Sequence, residues 1–214
     1  MDCGMGNLFS VEAACRHVGL DARVTDDPAL VRDADGVVLP GVGAFGEAMQ
    51  RLGQSGLDVA VSDVVAGGRP FLAVCLGLQL LFESSEEFGA SSGLGILAGQ
   101  VVKFPTEADG VRLKVPAVGW LQAERVPRTG ETSWNVHPFT GLTDAEYFYF
   151  VHSFYVKPSD LSNVATRTTY GGITYVSSLM HRNIFACQFH PERSGAAGLQ
   201  IYRNFADSLR SLDD

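Results

Sequence analysis

The stretch Phe71-Leu-Ala-Val-Cys-Leu-Gly-Leu-Gln-Leu-Leu-Phe-Glu-Ser-Ser-Glu-Glu87 decides how this chain folds. Phe71-Leu72-Ala73-Val74 follows Pro70 as a short, unbroken apolar run. That is the pattern of a strand covered on both faces in a parallel sheet. From Leu76 the spacing turns helical: Cys75, Gln79, Glu83 and Glu87 recur every fourth residue on one polar face, with Leu78, Leu81 and Phe82 on another. Cys75 therefore stands at a strand-to-helix junction, where Gly77 permits close packing. A thiol at a helix N-terminus is biased toward thiolate. A free cysteine is also commonly a small buried hydrophobe. The stretch alone leaves both readings open.

Working outward, the 214 residues fit one domain, 1–214, with a full hydrophobic core. Hydrophobic residues at 46% and charged residues at 19% describe an ordinary globule, and the formal net charge of −8 argues against nucleic-acid binding. Met1-Asp2-Cys3-Gly4 does not read as a signal peptide, and no apolar run is long enough for a membrane span. Cys3, Cys15, Cys75 and Cys187 lack metal-binding spacing, so reduced thiols in a cytoplasm are expected.

Leu8, Val11, Cys15 and Val18 follow helical spacing, with Gly19 as the stop signal. Gly36–Leu39 reads as a buried strand, Pro40-Gly41-Val42-Gly43 as a glycine loop, and 45–52 and 57–66 as helices. This βα alternation predicts an α/β fold with a mostly parallel central sheet flanked by helices. The second half predicts an additional strand-rich region, with strands near 100–104, 111–115, 147–156, 164–169, 173–179 and 183–189. A final helix covers about 197–210.

A nucleophilic cysteine needs a base and a group to orient that base. His17, His137 and His181 sit at a helix end or in turn-like contexts. His190 directly follows the apolar run 184–189 and opens His190-Pro191-Glu192. Chemistry in open α/β sheets gathers beyond the C-terminal ends of strands, where both Cys75 and His190 fall. Glu192 is placed to turn back and fix the imidazole tautomer. An oxyanion hole would take one donor from the Leu76 N–H, as at other strand-to-helix elbows. Its second donor would come from the Pro40–Gly43 loop.

Taken together, "DCGMGNLFSV" (2–11), "LPGVGAFGEAM" (39–49), "CLGLQLLFESSEE" (75–87), "PAVGW" (116–120), "YFVHSFYV" (149–156) and "QFHPERSGAAGL" (188–199) resemble the class I (triad) glutamine amidotransferases. Within that family the Pro-Gly-Val-Gly loop and the Tyr-Phe-Val-His-Ser strand are most similar to the glutaminase subunits of imidazole glycerol phosphate synthases. The resemblance implies that Cys75 attacks the side-chain amide of L-glutamine, His190 shuttles protons and Glu192 orients His190. It places Leu76 and Val42 in the oxyanion hole, and Gly43, Gln79, Glu87 and the backbone of Ser153 and Phe154 around the substrate. His152 then belongs to the substrate wall rather than acting as the base. No cofactor and no metal are implied. The implied partner is a separate (β/α)₈ cyclase subunit that receives the ammonia.

The chain departs from the family pattern at four places. Few apolar residues precede Asp2, so either a first strand there is short or missing or the true start of the chain lies upstream. Cys3 replaces a tyrosine, Ala73 a frequent glycine, and Ala117-Val118 a His-Met pair. Two alternatives to a histidine-pathway glutaminase follow: a paralogue feeding a surface-sugar amidotransferase, and a non-catalytic interaction subunit of the same fold.

Overall fold

The computed structural model describes residues 1–2, 4, 7–108, 110–126 and 137–210. Helices α1 (Leu8–His17) and α2 (Pro28–Asp33) precede strand β1 (Val37–Leu39); α3 (Phe45–Ser55) and α4 (Leu57–Ala66) lead to β2 (Phe71–Val74). Then come α5 (Leu76–Leu80), β3 (Phe82–Ser85), β4 (Ser91–Ser92), β5 (Leu97–Lys103), β6 (Glu107–Ala108) and β7 (Val111–Arg112). The chain continues through β8 (Ala117–Arg125), β9 (Ala145–His152), β10 (Phe154–Pro158), β11 (Val164–Tyr170), β12 (Ile173–His181) and β13 (Ile184–Cys187), and α6 (Gly195–Arg210) follows. Cys3, Met5 and Gly6 of the first motif lie outside the described residues.

The main sheet has seven strands in the order β1-β2-β13-β12-β11-β8-β9. It is mixed, not mostly parallel. Only β1·β2 and β2·β13 are parallel; every pairing from β13 outward to β9 is antiparallel. The reason lies in the connections. Parallel neighbours need a crossover, which the helices of the first half supply, whereas the second half joins β11 to β12 and β12 to β13 by tight turns. A second sheet runs β10-β5-β3-β4, and β6 pairs with β7.

β2 sits inside the parallel portion with all four residues buried. Phe71 and Ala73 feed one apolar cluster, Leu72 and Val74 the other, which is why the run shows no polar alternation. The same division splits Ile184 and Ala186 from Phe185 and Cys187 on β13.

Two sequence readings need correcting here. The helical spacing from Leu76 to Glu87 ends at Leu80, because Phe82–Ser85 pairs in parallel with β5 and antiparallel with β4. Strand pairing overrides a period that the apolar residues fit equally well. The single strand expected over 147–156 breaks at Ser153, and its halves β9 and β10 belong to different sheets. Strand β8 was not anticipated.

At the start of the chain, the Met1 amine donates to the Val38 carbonyl at 3.0 Å and the Asp2 N–H to the Thr25 carbonyl at 2.7 Å. These residues thus bridge β1 and the segment that ends at Thr25. Beside them lies a cavity of about 480 Å³ lined by residues including Val11, Val24, Val37 and Phe205. Residues 1–2 form no strand.

Candidate active site

Cys75 occupies the elbow between β2 and α5 with φ +54° and ψ −107°, a left-handed conformation rare for a residue with a side chain. Such strain persists only where surrounding structure enforces it, and it clusters at functional sites. Enforcement is visible: the Cys75 N–H donates to the Cys187 carbonyl at 2.8 Å, and β1 crowds the other side. A Cβ built on Gly77 would lie 2.1 Å from the Leu39 carbonyl oxygen, so only glycine lets the elbow seat on the end of β1. Gly77→Ala is expected to cost about 1–3 kcal/mol, typical of overpacking. Thermal unfolding would then fall by several degrees, at about 2–4 °C per kcal/mol for a chain of this size.

His190 lies just past β13, its N–H donating to the Tyr149 carbonyl at 2.9 Å and its own carbonyl accepting from the Ser194 hydroxyl at 2.6 Å. Pro191 opens a short 3₁₀ turn that swings Glu192 back toward the ring. The Nδ1–H donates to Glu192 Oε1 at 2.8 Å, and both side chains are almost fully buried. The other ring nitrogen, Nε2, has no partner with hydrogen-bonding geometry but lies near enough to the Cys75 sulfur to interact strongly with it. Burial works against the imidazolium. The Cys75 sulfur and the Glu192 carboxylate outweigh it, and the His190 pKa is pushed up to about 10. Cys75, His190 and Glu192 are thus brought together as the sequence predicts.

The Leu76 N–H, expected as an oxyanion donor, donates to the Gly41 carbonyl at 3.3 Å. Gly41 is packed against the elbow, where a Cβ would lie 2.9 Å from Leu76 Cβ. Gly43 has φ +109°, and Val42 between them is 41% exposed. In this state the peptide linking Gly41 to Val42 turns its carbonyl, not its N–H, toward the Leu76 amide.

The wall opposite is a buried polar network. His152 Nδ1–H donates to the Phe154 carbonyl at 2.8 Å, which fixes the tautomer, and Nε2 then accepts from the Tyr175 hydroxyl at 3.1 Å. Burial pushes the His152 pKa down to about 4, so this imidazole stays neutral and fully engaged. Gln79 Nε2 donates to the Phe154 carbonyl and to Gln188 Oε1, each at 3.1 Å. Gln188 Nε2 points to the Cys75 sulfur at 3.5 Å. Ser153 forms the bend between β9 and β10, its carbonyl accepting from the Phe104 N–H at 3.0 Å. The Glu87 carboxylate accepts from the Phe45 N–H at 2.7 Å, at the start of α3 just after the glycine loop. Gln79 and Glu87 therefore hold internal partners and do not share a helix face.

Sequence reasoning missed Gln188 and Tyr175. Their contacts join residues 113 and 23 positions apart. The one signal was a polar residue within the otherwise apolar 184–189 run.

Comparison with known proteins bears on the family. The sequence profile of the family described as glutamine amidotransferase class-I matches residues 1–209. The imidazole glycerol phosphate synthase subunit HisH of Syntrophotalea carbinolica is 48% identical, covering 97% of this chain and 98% of that one. The same-named subunit of Moorella thermoacetica is 44% identical, over 98% and 94%. Among solved structures, one titled glutamine amidotransferase has a TM-score of 0.70 at 16% identity, covering 96% of this chain and 95% of that one. The glutaminase domain of Trypanosoma brucei CTPS with bound acivicin has a TM-score of 0.65 at 16% identity, over 95% and 88%. These two likenesses speak for the fold alone. With its profile matched over nearly the whole length and close relatives at almost half identity, the chain belongs to the class I glutamine amidotransferases.

Proposed function

We propose that this protein is the glutaminase subunit of an imidazole glycerol phosphate synthase, hydrolysing L-glutamine to glutamate and passing the ammonia to a (β/α)₈ cyclase subunit in histidine biosynthesis. The observation that carries the chemistry is the buried Cys75–His190–Glu192 constellation, with its nucleophile on a strained elbow. The pathway rests on the relatives: each of the two described above is named as that synthase subunit.

The Cys75 thiolate attacks the side-chain amide carbon of glutamine, and negative charge develops on the carbonyl oxygen. His190, protonated, gives its proton to the departing nitrogen as the C–N bond breaks. Ammonia leaves and a glutamyl thioester remains. Water then attacks the thioester carbon while His190 takes its proton; collapse expels the Cys75 thiolate and releases glutamate. Glu192 holds the ring through Nδ1 throughout. Gln79, Glu87, Gly43 and the Ser153–Phe154 backbone surround the substrate, and the setting is cytoplasmic.

Exposed side chains on β8 and β9 support a docking face for the cyclase there. Val118, Trp120 and Tyr147 are about half exposed, Trp120 meets Tyr149 edge to face, and the Arg193 guanidinium lies 4.4 Å over the Tyr149 ring. Exposed aromatics with an arginine are the residue types enriched at protein interfaces. Ammonia released into bulk water would protonate and lose its nucleophilicity, so a sealed contact is required.

The resting loop adds regulation. The Gly41 carbonyl occupies the Leu76 N–H, and the oxyanion hole lacks the Val42 N–H as second donor until the peptide turns over. Missing one such donor costs about 10²–10³ in rate in another acyl-transfer enzyme. A partner that binds the flipped peptide more tightly would restore it. Steady-state glutaminase activity is to be measured for the chain alone, with cyclase, and with cyclase plus its nucleotide ligand. Activity is expected to be low alone and to rise by about 10²–10³ in the loaded complex. Full activity of the isolated chain would refute the gating, and absence of glutaminase activity in the loaded complex would refute the function.

A further inference from the structure

We propose that Gln188 is a third side chain acting directly on the nucleophile: its amide N–H donates to the Cys75 sulfur and holds it as thiolate in the attacking position, while Gln79 positions Gln188. This rests on the assignment of Cys75 as nucleophile. The two polar groups given to the sulfur besides the nearby His190 ring are Gln188 Nε2 at 3.5 Å and the Val151 carbonyl at 4.0 Å. Only Gln188 can donate to a thiolate.

The orientation of the Gln188 amide follows from what its neighbours are able to accept. The Phe154 carbonyl has no proton, so it takes one from His152 Nδ1 and another from the Gln79 NH₂. The same Gln79 NH₂ also reaches Gln188 Oε1, so that oxygen is the acceptor and the Gln188 NH₂ is left facing sulfur. Turning the Gln188 amide over would set two NH₂ groups against each other and a carbonyl against the thiolate. Gln188 is fully buried and Gln79 nearly so, so no water shell competes for these bonds. Backbone fixes the base of the side chain as well: the Gln188 N–H donates to the Ser177 carbonyl at 2.8 Å.

The arrangement separates two tasks. His190 must release and regain a proton in each turnover, whereas Gln188 is a donor that never titrates. A sulfur held by such a donor keeps its place when His190 has given its proton away. Gln79 consequently acts on the nucleophile through Gln188, whatever it also does for substrate.

The test is the rate of Cys75 alkylation by iodoacetamide in the full chain as a function of pH, with the label located by mass. Gln188→Leu removes the donor, and Gln188→Met removes it without adding charge and at nearly constant length. Both are expected to alkylate about tenfold more slowly near neutral pH, the loss of a hydrogen bond to a charged group. The gap should close at alkaline pH, where the thiolate forms without help. Gln79→Leu should slow the reaction in the same direction by less. In the cyclase complex the Gln188 variants should lose kcat with little change in KM. Profiles that superimpose on wild type would overturn the proposal, as would slowing that is uniform across pH, which marks mere access or packing. If Gln188→Leu does not fold, Gln188→Met decides alone. A Cys75→Ala chain that still hydrolyses glutamine would instead overturn the nucleophile assignment, a separate outcome.

Discussion

Cys75→Ala should abolish glutamine hydrolysis, with a loss on the order of 10⁶-fold by analogy with removing the nucleophile of another acyl-transfer triad. The cyclase complex should still make product from added ammonium salts, because the substitution touches only the glutaminase half. The expectation is strong because no other cysteine among the described residues stands in a comparable place. Cys15 is buried within α1, where burial pushes its thiol up to about 11. Cys187 is fully buried on β13, and burial there raises its thiol well above the usual range. Both are held as unreactive neutral thiols. Residual glutaminase activity in Cys75→Ala, measured as glutamate release, would break the assignment.

His190→Ala should cost several orders of magnitude in kcat/KM, since it removes both base and leaving-group acid. Glu192→Gln should cost less, because the main chain of His190 stays held by the Tyr149 carbonyl and the Ser194 hydroxyl. The reverse ordering would contradict this division of labour. A pH signature accompanies it. The His190 pKa is raised from 6.5 to about 10, so the stability the charged ring contributes is complete below pH 6.5 and fades as pH rises toward 10. Part of that contribution comes from the Cys75 sulfur. Melting temperatures followed from pH 6 to 10 should therefore fall more in wild type than in Cys75→Ala. Parallel curves would show that the pairing is weak.

Much of the site was legible because its parts are local: an apolar strand and a cysteine at 71–75, and His190-Pro191-Glu192 within one turn of chain. The half of the sheet built on βα units was legible for the same reason, since each unit carries its own period. Three features were not. The antiparallel half depends on which strands meet. The five-residue length of α5 depends on β3 pairing with β5, and leucine-rich spacing cannot reveal that. Gln188 is one polar residue in an apolar run, and its meaning comes from a sulfur 113 positions away.

Strand β9 has a mechanical consequence. Along it, Tyr147 and Tyr149 face outward while Phe148 and Phe150 are buried, and the strand ends at His152 before the Ser153 bend. The Tyr149 carbonyl holds the His190 N–H, and the Val151 carbonyl faces the Cys75 sulfur. The outer rings are thus joined to groups that contact base, nucleophile and substrate wall by about 10–17 Å of one extended strand. β9 is therefore one covalent thread that has aromatic rings on the surface and carbonyls set against the reacting groups.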